Sequence, residues 1–473
     1  LSAIRSLTDV SLSFTIITAL GLLDGALSYV LAGCDVEQPS LELLAHQAVC
    51  KNRAVSLAAL TQLRAKGPEG LDVLFSVHGA TIEKHRNGNT APIAEEDQSQ
   101  WDELKTALDA VSGQHDCFAS HLYWYTNLEE ATAAAKASGK PILSLRLLGN
   151  LDEECSCANS RFFRTTLYPN LEVSKYLREH FILHWQSVRP VPKITIDFGD
   201  GRKIQRTITG NSVHYVLDRS GDPIDVLPGL YGPKAFLRAL EQAEPAALAC
   251  AGSTREEKNA YLRQYHRWCR LALSKQWEDD LARIGQTPQQ FAGPALMTTK
   301  AAVPTAQMAG RLAFSKSAVE APLLKSLQPS RNAKPERGGA QVTDEMWARI
   351  ALLHSSDAEL DGSAQNLIVS KNPTAFQASQ LAISKRLVEN PFLRTWRNLQ
   401  RSISEDTVRN EYQLHAQIHD WFMEGIAPAE LNGLNAKVYA ELFLMPESDP
   451  WLGLAPADTF SGLQNNGLVQ ARP

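Results

Sequence analysis

Residues 127–149, NLEEATAAAKASGKPILSLRLLG, decide between an all-helical chain and an α/β one. Asn127 stands at a cap position, Glu129 and Glu130 fall in the first turn, Lys136 falls in the last, and Gly139 then Pro141 close the segment. Each of these residue types matches what a helix terminus needs: an oxygen for orphan N–H groups, charges opposing the macrodipole, and a left-handed stop. The apolar run 142–148 is too short for a second helix and reads as a strand buried on both faces. A helix feeding such a strand opens an α/β unit.

Downstream the alternation continues. EECSCANSRFF (153–163) leaves the strand for a helix, NLEVSKYLREHF (170–181) is a helix, and FILHWQSV (181–188) is a second strand. KITIDFGDGRKIQRTIT (193–209) predicts a hairpin turned at Asp200-Gly201, expected to extend the sheet. SVHYVLD (212–218), a turn at RSGDP, IDVLP (224–228) and a helix from Pro233 complete the unit.

The run EEATAAAKASGKP fits the pattern A-x-x-x-A-K-x-x-x-K-P, and with a cysteine near a helix start and SVHYVLDRSGDPIDVLPGLYG it resembles the thioredoxin superfamily over residues 126–243. That resemblance implies a thioredoxin-like sheet with Cys157 at the nucleophile's position and Ser160 at the resolver's, so that the usual dithiol becomes CANS. In a working member, a helix N-terminus activates the first thiol and the second resolves the mixed disulfide. Serine cannot do the latter. Cys155, two residues earlier, could resolve through a small strained ring. Ser212 matches the position of the cis-proline that usually faces the thiols.

Around this unit, three further regions are expected. Residues 1–37 contain VSLSFTIITALGLLDGALSYVLAG (10–33), whose only charge is Asp24; it reads either as a membrane anchor or signal-like segment ahead of Cys34 or as a buried apolar helix. Residues 38–125 read as helical: SLELLAHQAVCKNRAVSLAALTQLRAKG from a cap at Ser40 to a stop at Gly67, then GPEGLDVLFSVHG and DQSQWDELKTALDAVSG. Residues 244–473 read as helical with an internal repeat, 304–324 against 373–393, carrying 12 identities in 21 positions. Each copy holds a Lys/Glu pair (Lys316/Glu320, Lys385/Glu389) and is expected to end its helix at Pro322 or Pro391.

With 473 residues, 21% charged, 44% hydrophobic and a net charge of −5, the chain suits a folded multidomain protein and offers no basic footprint for nucleic acid. Seven scattered cysteines without a CxxC pair make neither a disulfide framework nor a zinc ribbon. Hydrolase, nucleotide and dinucleotide motifs are not found, and no cofactor is implied. Glu411, His415 and His419 recur every four residues and could share one helix face able to chelate zinc or iron; His266 and Cys269 form a lesser i, i+3 pair.

Two functions follow from these readings. One is a non-enzymatic interaction or assembly protein, with helical modules around a degenerate thioredoxin-like domain holding protein partners. The other is a monothiol redox protein using Cys157, with Cys155. The apolar segment 10–33 points to a membrane-associated or periplasmic place in the cell envelope, with the cytoplasm as the alternative.

Overall fold

The computed structural model describes residues 39–86, 95–207, 210–288, 291, 342–371, 391–452 and 464. The apolar segment 10–33, Cys34 and nearly all of the internal repeat, both Lys/Glu pairs included, lie outside these residues. Among the described residues no helix is long and apolar enough to cross a membrane.

The N-terminal part is a helical layer: α1 (Leu41–Ala48), α2 (Arg53–Ala65), α3 (Pro68–Val77), α4 (Gly79–Arg86) and α5 (Glu95–Ser112). The single helix expected from Ser40 to Gly67 is interrupted. Asn52 accepts from the N–H groups of Ala54 and Val55 and so starts a new helix, the local side-chain bond that makes asparagine a cap rather than an interior residue. Leu44, Leu63, Leu71, Leu74, Leu104 and Leu108 meet in the layer's core.

The centre is a mixed α/β unit. Helix α6 (Leu128–Ser138) is capped by Asn127 and stopped by Gly139 in the left-handed region. Strand β1 (Ile142–Leu148) buries every residue, and each of its large apolar side chains contributes about 1.5–3 kcal/mol by leaving water. A short helix α7 (Ala158–Phe162) runs into a π-helical turn (Phe163–Leu167), and α8 (Leu171–His180), capped by Asn170, leads to β2 (Ile182–Arg189). After the hairpin strands β3 (Lys193–Asp197) and β4 (Lys203–Thr207) come β5 (Ser212–Leu217), β6 (Pro223–Pro228) and α9 (Pro233–Ala249). The sheet order is β2-β1-β5-β6: β1 pairs parallel with β2 and antiparallel with β5, and β5 pairs antiparallel with β6. An isolated parallel bridge from Tyr125 to His184 lies beyond β2.

The hairpin corrects an expectation. Strands β3 and β4 form a separate two-stranded sheet instead of extending the main one. Pro190 and Pro192 sit between β2 and β3, where each removes a ladder donor and fixes φ. The hairpin strands are largely exposed on both faces, so no hydrophobic side draws them onto the sheet.

The rest is helical: α10 (Arg255–Arg283), α11 (Asp344–Leu353), α12 (Gly362–Lys371), α13 (Pro391–Arg409), a π-helical turn (Asn410–His415), α14 (Ala416–Glu424) and α15 (Leu431–Lys437). Thr254 and Glu257 make a reciprocal capping box at the start of α10. Pro391 begins a helix where the repeat led us to expect an end; at a first helical position the missing N–H costs nothing. Leu414, Ile418, Trp421, Leu434, Tyr439 and Phe443 belong to the same apolar core as the sheet. Leu367 on α12 reaches the N-terminal layer's core instead.

Candidate functional site

Cys157 is the N-cap residue of α7, just past β1, as the sequence led us to expect. Its thiol is 0% exposed and its Sγ accepts the N–H of Ser160 at 3.4 Å. Ser160 is equally buried, its hydroxyl lying against Ser156 Oγ, which also takes a bond from Arg164 Nη2 at 3.0 Å. Cys155 is half-buried on the preceding loop, and both cysteines are free thiols. Ser212 begins β5 opposite Leu147, and its buried hydroxyl makes no hydrogen bond to either cysteine. The structure therefore joins Cys157 and Ser160, and joins neither to Cys155 or Ser212.

The chain itself covers this corner. Thr207, at the end of β4, donates its hydroxyl to Ser156 O at 3.1 Å and receives Arg161 Nη2 at 2.9 Å. Gly210 passes so near α7 that a Cβ there would stand 2.9 Å from the Ala158 Cβ. Beyond it, Tyr439 donates to Asn211 O at 3.0 Å, Arg189 donates to Met445 O at 2.9 Å, and Tyr215 OH donates to Asn435 Oδ1 at 3.1 Å. Residues 432–449 thus bond across the sheet from β2 to β5 beside Cys157.

A second cluster lies at the β6 edge, where α10, the π-turn and α14 pack against the strand. Asp225 on β6 accepts His415 Nε2 at 2.9 Å and the Val226 N–H at 2.7 Å on Oδ1, and Tyr265 OH at 2.7 Å on Oδ2. Burial alone would raise this carboxyl's pKa; His415 beside it holds it well below the usual carboxylate range. His266 Nε2 stands 3.0 Å from Ile224 O, and His266 Nδ1 stands 2.8 Å from His419 Nδ1. A carbonyl oxygen only accepts, so His266 Nε2 carries the proton. Burial pushes His266 down to about 4 and His419 well below its usual value, so both rings are neutral. His266 Nδ1 is then an acceptor, His419 Nδ1 donates to it, and His419 Nε2 is left with the lone pair.

Glu411 does not join this cluster. It turns toward Arg238, 3.7 Å away, and is raised in pKa by burial. Residues 410–415 form a π-turn, within which Glu411 packs toward Arg238 while His415 faces Asp225. Donor atoms of Asp225, His415 and His419 lie within 4.8 Å of one another, so aspartate takes the place foreseen for glutamate. Its signal in the sequence was a lone carboxylate amid the apolar residues of IDVLP.

A third group, His115, Asp116 and Glu154, also gathers donor atoms. Asp116, however, is buried against Lys371 Nζ at 2.5 Å, Lys105 Nζ at 3.1 Å and Arg164 Nη1 at 3.6 Å. Those cations hold the oxygens that a metal would need. The network ties α12 and the end of α5 to the Cys155 loop through Glu154. No protein-family model, no curated protein and no solved structure matches this chain.

Proposed function

We propose that this chain is a non-enzymatic interaction or assembly protein, built on a thioredoxin-like unit whose redox corner has become a packing site. The observation that carries this reading is the complete burial of Cys157, whose sulfur serves as a helix cap. Thiolate attack needs an accessible sulfur, and here Thr207 and Gly210 lie against Ser156 and Ala158 on either side of it. The sheet order, with one parallel and two antiparallel pairings after a helix–strand–helix–strand run, supports the thioredoxin-like assignment. Partner binding is supported by α10, which sets Tyr261, Trp268 and Leu271 on one exposed stripe, Trp268 58% and Leu271 65% exposed. Apolar surface of this kind is what partners cover.

Cys157→Ser tests the proposal. The variant should fold, retain its partners and show the same small-disulfide reductase rate as the wild-type chain, which should be the uncatalysed rate. A wild-type reductase activity that the substitution removes would establish the monothiol reading instead. That second reading is favoured by one observation, the half-exposed Cys155; titration of native thiols separates the two, since only Cys155 of this pair should react before unfolding.

A further inference from the structure

We propose that Asp225, His415 and His419 bind one divalent first-row transition ion, of the zinc class, which clips the π-turn and α14 onto edge strand β6. Two imidazoles and one carboxylate are a donor set that selects such ions over calcium or magnesium. Donors sharing an ion at about 2.0–2.1 Å stand roughly 3 Å apart, and His415 Nε2 and Asp225 Oδ1 are 2.9 Å apart. The ion takes the place of the proton between these two atoms, and that proton passes to solvent or to His415 Nδ1, so that His415 ligates as a neutral imidazole. His419 arrives with Nε2 already free, because Nδ1 is committed to His266 and His266 is committed to Ile224 O. Such outer partners fix a ligand's tautomer and ring orientation.

Three further features distinguish this cluster from the Asp116 network. Among the described residues no Lys or Arg bonds Asp225, whereas Asp116 has three cations. Tyr265 and the Val226 N–H orient the carboxylate without neutralising it. His415 also closes a π-turn, a local widening that recurs where helices place functional side chains. The proposal stands apart from the non-enzymatic reading and does not depend on it.

The test uses the full chain, stripped with a chelator and titrated with Zn²⁺ by calorimetry and with Co²⁺ by visible absorption. One saturable ion per chain is expected, with ligand-field bands from Co²⁺. His415→Gln keeps an N–H for Asp225 but removes the imidazole lone pair, and it should weaken binding about hundredfold or more. Glu411→Gln should bind as the wild type does. No saturable binding by the wild type, wild-type binding by His415→Gln, or equal weakening by Glu411→Gln would each overturn the assignment. If His415→Gln does not fold, the wild-type melt decides: Zn²⁺ should raise it and Ca²⁺ should not, and an unchanged melt in Zn²⁺ overturns the proposal.

Discussion

Replacing Gly232 by alanine should loosen the seam between the sheet unit and the C-terminal helices. Gly232 is the N-cap of α9, with Pro233 at the first helical position and φ of −66°, an angle any residue adopts. Its N–H donates to Thr407 Oγ1 at 2.8 Å. A Cβ there would strike the Asp357 carbonyl, landing 2.8 Å from its carbon and 3.0 Å from the Ala358 Cα. Both obstacles are backbone atoms, so no rotamer change relieves them. Overpacking of this kind costs about 1–3 kcal/mol, and alanine is a poorer cap than glycine by about 0.5–1 kcal/mol. Together the cost is about 1.5–4 kcal/mol, a rise in the unfolding constant of roughly 12- to 700-fold. Urea denaturation followed by circular dichroism measures it, and hydrogen exchange over 355–358 and 403–409 shows whether the seam opens first. Gly79→Ala is the control, because a Cβ there meets nothing within 4 Å; it should be neutral or stabilising by up to about 1 kcal/mol. Equal denaturation midpoints for Gly232→Ala, Gly79→Ala and the wild type would show that α9 does not abut residues 357 and 358 in solution.

His115 gives a pH dependence. Burial alone would lower its pKa, but the carboxylates of Asp109 and Glu154 raise it to about 8. A group whose folded pKa exceeds its unfolded value stabilises fully below about 6.5 and ceases to do so as pH rises through about 8. The wild-type chain should therefore lose up to about 2 kcal/mol between these values, and His115→Gln should lose less over the same range. The Glu154 carboxyl is depressed by the same His115 contact and, besides it, by Lys371 and Arg164. Asp116→Asn keeps a residue tolerant of the left-handed φ of 61° while removing the buried carboxylate between Lys371, Lys105 and Arg164; it should cost about 3 kcal/mol, and a loss below about 1 kcal/mol in urea melts would show the network to be solvated.

Local signals were the readable ones. Asn127 and Gly139 act within three or four residues of themselves, and the structure places each at the helix end expected for it. The alternation of IDVLP and SVHYVLD with turn residues likewise marked β5 and β6. Misreadings arose where the deciding partner lies far along the chain or the geometry departs from a regular period. The hairpin residues carry a correct strand pattern, yet Pro190 and Pro192 decide which sheet they join. Glu411 kept its spacing from His415 in sequence but not its partner, because Arg238 on a distant helix draws its carboxylate instead. Asp225 is a ligand candidate only because residues 190 and 194 positions later return to it, and the lone carboxylate of IDVLP does not tell which residues it meets. The approach of Gly210 to Ala158, next to Cys157, is set by distant partners in the same way.

The bond from Arg146 to Asn432 joins residues 286 apart, and this separation has a consequence for how the protein is made. Chains dominated by distant pairings fold slowly, since loop entropy is lost before the contacts that repay it can form. During synthesis the sheet's strands emerge long before residues 414–452, which complete their apolar core. Until then Tyr215 and its neighbours remain uncovered, in the state most open to aggregation.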